Sequence, residues 1–311
     1  MYVIFEMPLR GAGGEPISFA RTVYSHGCAQ LPPATVLESP LVYRRGFRIG
    51  KRVIGVELQE HRGRLQACAA QRLGQRDTAT LESAVARMFR LHDDLSAFYR
   101  QIADDERFTW ATAGAGRILA SPSVFEDVVK TICTTNTSWG GTTRMVNALV
   151  EHLGEKAPNA PPAGPYGRAF PTPRAMADAS ETFYKKVAGA GYRGPYLRQL
   201  AGDVARGRID LERLAIVSPE ALPDDEMARE LQTLPGVGPY AAAHIMLMLG
   251  RYDRLILDSW TRPKYARLLG RKRPLSDRTM MRRFARYGRY AGLAFWLFLT
   301  RDWLDETADP A

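Results

Sequence analysis

The sequence predicts an α+β protein: a small antiparallel sheet domain over residues 1–80, then a larger all-helical domain over 81–311 in which a glycine hairpin joins two helices. Three observations carry this. Residues 15 to about 75 set short β-branched or aromatic runs between Gly, Pro and charged breaks. From about Thr80 the apolar residues fall at helical spacing instead. Further on, Leu234-Pro235-Gly236-Val237-Gly238-Pro239 separates two helical stretches.

In order along the chain, Leu41–Tyr43, Gly46–Ile49 and Arg52–Leu58 read as strands, and Leu31-Pro32-Pro33 stops any helix before them. Leu81, Val85, Met88 and Leu91, then Leu95, Phe98 and Ile102, mark amphipathic helices. Ser123 stands three residues before Glu126, the spacing of a capping box, and opens an apolar run through Phe125, Val128, Val129 and Ile132. Met145–Leu153 continues helically and stops at Gly154. Lys156–Pro173, rich in Pro, Gly and Ala, reads as a mobile loop. Helices follow at Thr182–Ala190, Pro195–Arg206, Asp224–Leu231, Tyr240–Leu249, Thr261–Leu269 and Tyr290–Leu304.

Composition narrows the function. The 311 residues are 45% hydrophobic and 24% charged, which excludes disorder as the main state. The longest apolar run, Ala291–Leu299, is about half of the ~20 residues a spanning helix needs. Met1–Gly14 lacks the basic and apolar segments of a secretory signal, and an intracellular, cytoplasmic location is expected. Three scattered cysteines, Cys28, Cys68 and Cys133, exclude a disulfide framework and a four-cysteine metal site. The charge is basic, 43 Lys+Arg against 33 Asp+Glu for a net +10. From Arg262 to Arg289 eleven basic residues face a single acid, Asp277. Such a field suits phosphates.

The hairpin has chemistry of its own. Glycines permit positive φ and close approach of another backbone. The helix that follows offers unpaired N–H groups and a partial positive charge, a docking point for phosphate. The plain alternative is a tight turn between packed helices. Some twenty residues on, Leu255-Ile256-Leu257 leads as a strand-like run into Asp258-Ser259-Trp260. Asp258 there is either a helix cap or a carboxylate held at the mouth of a cleft beside the hairpin.

Hairpin and Asp together resemble the helix-hairpin-helix DNA glycosylase superfamily. The resemblance implies that Gly236, Val237 and Gly238 grip the DNA backbone, and that Asp258 is the catalytic carboxylate. It extends from about Gly27 to Trp303. Met88-Phe89-Arg90-Leu91-His92-Asp93-Asp94-Leu95 is similar to the first helix of the 8-oxoguanine branch. Ile132-Cys133-Thr134-Thr135-Asn136 is similar to a segment whose Asn fills the gap left by the extruded base. Gly191-Tyr192-Arg193 resembles one whose Tyr and Arg reach the opposite-strand base, and Gly27 stands where a glycine carbonyl faces the damaged base. Tyr290-Ala291-Gly292 also matches.

The departures are chemical. Where the 8-oxoguanine enzymes carry a Schiff-base Lys just after the hairpin, this chain has Tyr240. Phe295 replaces their base-reading Gln, Leu299 a Phe, and His244 a Cys. Tyr240, Phe295 and Trp260 then make an aromatic pocket, similar to the alkylpurine branch and suited to a cationic alkylated base. For Phe295, core packing beside Trp296 and Phe298 is the alternative. Trp139 either stacks on a nucleotide or caps the core. The resemblance therefore implies a monomeric, monofunctional glycosylase acting on lesion-bearing double-stranded DNA by base flipping. Arg262 would join its DNA contacts. It needs no redox cofactor or catalytic metal, although a cation on the hairpin carbonyls at 234–238 is expected. Excision of another modified base, and a catalytically silent DNA-binding module, are the two rival readings.

Overall fold

The computed structural model describes residues 1–304; the last seven residues of the expected 81–311 domain lie outside that range. Five antiparallel strands form one sheet in the order β1-β5-β4-β3-β2: β1 (Tyr2–Pro8), β2 (Thr35–Glu38), β3 (Leu41–Ile49), β4 (Arg52–His61) and β5 (Arg64–Ala69). The two expected runs at 41–49 are one strand, because Gly46 continues the ladder opposite Gly55. Gly46 is needed for a second reason. A Cβ there would stand 2.2 Å from the Arg168 carbonyl oxygen, where the 156–172 loop crosses the strand.

Helix α1 (Phe19–Val23) precedes the sheet's central strands, and α2 (Gln75–Met88) packs across it. Leu81, Val85 and Met88 of α2 share a core with Tyr43, Phe47, Val56 and Leu65 of the sheet. The change of texture near Thr80 therefore falls inside a helix that belongs to the sheet's packing. The helical part follows: α3 (Ser96–Ile102), α4 (Val124–Thr134), α5 (Trp139–Leu153), α6 (Pro173–Asp178), α7 (Arg193–Ala205), α8 (Asp224–Gln232), α9 (Pro239–Met248), α10 (Thr261–Leu268), α11 (Asp277–Phe284) and α12 (Ala291–Thr300). Between α6 and α7, Phe183–Val187 forms a short π-helical turn rather than the expected α-helix. Helices α4, α9 and α12 are buried on nearly every side and form the centre of the second core.

The 156–172 loop is tied rather than trailing. Arg168 is buried and donates to the Gly154 carbonyl at 2.8 Å and the Gly164 carbonyl at 3.0 Å. The Ser123 cap is present, its Oγ accepting from the Glu126 N–H at 3.2 Å. The reciprocal half of the box is absent. Glu126 turns into the interior, where Arg45 of β3 reaches it at 2.8 Å and joins sheet to helices. Leu255–Leu257 is not a strand but an extended link between α9 and Asp258.

Candidate functional site

A cleft of about 1110 Å³ is walled by the hairpin and α9, the loop after α4, the start of α7, the turn at Gly27–Cys28, and the Asp258 link. Asp258 stands in this wall as both expectations required. Its Oδ1 accepts from the backbone N–H of Thr261 at 2.6 Å and of Trp260 at 2.9 Å, and its own N–H donates to Thr261 Oγ1 at 2.8 Å. These bonds fix the carboxylate. Among the described residues Oδ2 accepts no hydrogen bond, so one carboxylate oxygen of this cleft-lining residue is left free of protein donors.

The hairpin is built by Pro239 at the first position of α9, where a missing N–H costs nothing, and by Gly236 at φ +81°, a conformation that L side chains rarely adopt. Gly238 is exposed, with no atom within 4 Å of where a Cβ would stand. Its surface is open to an approaching backbone. Val237 is buried in the helical core, so only its main chain can make the contact expected of it.

The aromatic wall exists, but its members differ from those expected. Tyr240, His244, Trp260 and Gly27 line the cleft; Phe295 and Leu299 do not. Phe295 is fully buried behind it, packed on Tyr265 and Phe284 with ring centroids 5.6 and 5.2 Å away, and Leu299 is equally buried. One step along α12, Trp296 faces the cleft instead, with Trp303 beyond the helix end. Trp260, Trp296 and Trp303 contact one another at 5.8–6.0 Å. Trp296 is held by its Nε1–H donating to the Ser25 carbonyl at 2.7 Å. Across from them Trp139, half exposed, lies over Gly27. Tyr240 donates or accepts with Thr134 Oγ1 at 3.2 Å, and burial pushes its hydroxyl up to about 12, which keeps it a neutral phenol.

Asn136 and Tyr192 line the cleft; Arg193, expected to reach the opposite-strand base with Tyr192, does not. Arg193 is buried. Its guanidinium donates to the Thr135 carbonyl at 3.0 Å and the Asn136 carbonyl at 2.9 Å, and stacks over the Tyr192 ring at 4.5 Å. It thus buttresses the turn in which Asn136 adopts φ +44°, a left-handed conformation that Asn tolerates better than most residues. Arg193→Ala, which strands two carbonyls, is expected to cost about 1–3 kcal/mol in urea unfolding. Tyr192→Ala, at a half-exposed site, is expected to stay within about 0.5 kcal/mol of wild type. Equal costs would remove the buttress.

At the cleft, with Cys28 and His244 in its lining and His26 behind them, lie three residues that sequence spacing did not group. His26, Cys28 and His244 are buried, with donor atoms within 4.8 Å of one another. Burial pushes His26 down to about 4 and His244, with His26 beside it, down to about 3, while it pushes the Cys28 thiol up to about 12. His26 Nδ1 and both ring nitrogens of His244 have no hydrogen-bond partner among the described residues. A buried polar group so left costs about 1–3 kcal/mol.

Arg262 is half buried and chelated by Asp277 at 2.8 and 2.9 Å, which leaves it less available to phosphate than its place in the basic run implied. The exposed field lies further on. Arg267, Arg271, Lys272, Arg273, Arg278, Arg282 and Arg283 are exposed, with no ion pair among the described residues.

Among the described residues, the five-stranded sheet and the helices around the hairpin make the fold of solved DNA glycosylases. The structure is similar to the 3-methyladenine DNA glycosylase from Archaeoglobus fulgidus, with a TM-score of 0.74 and 19% identity over 97% of this chain and 99% of that one. It is similar also to the Clostridium acetobutylicum 8-oxoguanine glycosylase/lyase in its apo form, with a TM-score of 0.68 and 21% identity over 92% and 94%. In sequence it is similar to the N-glycosylase/DNA lyase of Saccharomyces cerevisiae, 26% identical over 226 residues. That match takes in 69% of this chain and 58% of the yeast protein's length. No family model matches the chain.

Proposed function

We propose that this protein is a monofunctional DNA glycosylase that excises an alkylated purine from double-stranded DNA. The observation that carries the reading is a fixed carboxylate, Asp258, beside a cleft walled by Tyr240, Trp260, Trp296 and Trp303. A glycosidic bond inside the duplex stack is out of reach, so the nucleotide must be extruded. Asn136 and Tyr192, both in the cleft lining, would fill the space it leaves. Alkylation at a ring nitrogen such as N3 or N7 makes a purine cationic, and tryptophan is the strongest cation–π partner, at about 0.5–2 kcal/mol per contact. As the base leaves, positive charge develops on the sugar. The free Oδ2 of Asp258 would stabilise that charge and align water against it. The hairpin and the exposed cations of residues 267–283 would hold the phosphates, and a cation on the 234–238 carbonyls would assist them.

The product follows from Tyr240. A phenol cannot condense with the opened sugar aldehyde as an amine does. Among the described residues no lysine lines the cleft, and Lys185 and Lys186 lie on the π-helical turn outside it. The test is base release from duplexes that each carry one alkylated, oxidised or deaminated base. Release of the alkylated purine from a strand that stays intact until alkali is added is expected, with no adduct trapped by borohydride. Release of an oxidised base in its place would favour the 8-oxoguanine-like reading. Binding without any release would leave a silent DNA-binding module. A trapped adduct would bring an amine to the cleft and end the monofunctional assignment.

A further inference from the structure

We propose that His26, Cys28 and His244 form a site for one zinc ion in the wall of the cleft, with the fourth coordination position open to the cleft. The donor set is two imidazoles and a thiol, without a carboxylate, which favours zinc over magnesium or calcium. The three donor atoms lie within 4.8 Å of one another. Tetrahedral zinc, with ligands at about 2.0–2.3 Å, needs them roughly 3.5 Å apart, so side-chain rotations of about 1 Å close the site.

The surroundings are arranged as a metal requires. His26 Nε2 is 2.6 Å from the Leu119 carbonyl, which can only accept. The ring proton therefore sits on Nε2, and Nδ1, without a partner among the described residues, keeps a lone pair free to ligate, the arrangement typical of a ligating histidine. The segment is pinned on both sides of this bond. Ser25 Oγ accepts from the Leu119 N–H at 2.9 Å, and the Ser25 carbonyl accepts from Trp296. His244 stands on the buried helix α9 with both ring nitrogens unpartnered among the described residues. Lys130, the cation whose field reaches His26 and Cys28, is paired with Glu126 at 2.7 Å, a carboxylate it shares with Arg45, and that field favours the thiolate a zinc ligand must be.

Direct reading of a base by the two histidines explains less. An extruded base in the cleft meets Cys28 and His244, but His26 does not line the cleft. A metal ion bridges all three. Its open position would then take water or a nitrogen or oxygen of the extruded base, a consequence that rests on the glycosylase reading. Metal binding itself does not.

The experiment titrates the chelator-treated full-length protein with cobalt(II), then zinc, without DNA. One equivalent of cobalt is expected to give the intense visible bands of four-coordinate cobalt and a thiolate charge-transfer band, both displaced by zinc. Cys28→Ser should remove the charge-transfer band and weaken zinc binding roughly 100-fold or more, and His244→Gln should weaken it by a similar factor. Cys68→Ser and Cys133→Ser should keep the band. Loss of the band in Cys133→Ser alone, or cobalt binding to wild type that is non-stoichiometric and lacks the band, would overturn the site. The wild-type titration decides this even if a variant fails to fold. Stoichiometric binding in a protein that releases no base would leave the zinc site standing and defeat the glycosylase assignment. Base release without stoichiometric metal would do the reverse.

Discussion

Asp258→Asn is expected to lower base release by at least 100-fold while changing affinity for undamaged DNA little. The two roles of this residue sit on different oxygens, which makes the substitution informative. Oδ1 caps the Trp260–Thr261 turn through two N–H bonds. An asparagine carbonyl can accept both, so the start of α10 and the fold should survive. Oδ2 is replaced by an NH₂ that carries no charge and donates where the sugar turns positive. Loss of one preorganised electrostatic contact to a developing charge typically costs about 10²–10³ in rate. Asp258→Ala serves as the comparison. It removes the cap as well and should cost about 1 kcal/mol of stability. Single-turnover base release and urea unfolding on both variants separate the roles. Near-wild-type release by Asp258→Asn would reduce Asp258 to a helix cap.

The parts of this site that could be read from sequence are those that local chemistry dictates. Gly236, Gly238, Pro239 and Asp258 occupy consecutive or closely spaced positions whose backbone demands appear in the residue types themselves. The wall of the cleft is different. Every residue of α12 is buried, so the helix has no polar face to say which side meets the cleft. Phe295 and Trp296 were equally eligible, and only packing on Tyr265 and Phe284 decides between them. Trp303, just past that helix, gave no signal at all. The His26, Cys28 and His244 grouping was hidden because His244 lies more than two hundred residues along the chain from the His26–Cys28 pair. Strand β1 escaped because its exposed edge residues Tyr2 and Val3 break the apolar alternation. For Arg193 the Gly191-Tyr192-Arg193 resemblance implies a contact with the opposite-strand base, and nothing local shows that the side chain turns inward. The buried carbonyls it serves, on Thr135 and Asn136, come from a distant loop.

Glu126 shows the same limit and carries the largest expected effect on stability. Its spacing from Ser123 suggests a partner for the backbone at the start of α4. The fold instead places it between Arg45 of β3 at 2.8 Å and Lys130 at 2.7 Å, the latter off hydrogen-bond angle, with all three side chains only 2% exposed. Burial alone would raise its carboxyl, but the two cations outweigh that and hold it at about 2. Glu126→Ala leaves two buried cations without an anion and is expected to destabilise the protein by about 3–5 kcal/mol. Because Arg45 and Glu126 join the sheet to the helices, the loss should appear as separate unfolding of the two cores, or as failure to accumulate folded protein. Replacing all three with apolar residues of similar volume should restore most of the loss, because the ions also bear a desolvation cost. The pH dependence has a definite sign. A carboxyl whose folded pKa lies below its unfolded value of 4.5 contributes its full stability above pH 4.5. That contribution is lost as pH falls through about 2. Its size is on the order of 3 kcal/mol. Glu126→Gln lacks this titration, so its urea midpoint should move less than the wild-type midpoint between pH 5 and pH 3. Parallel midpoints for the two proteins would mean that the triad does not set the acid limb of stability.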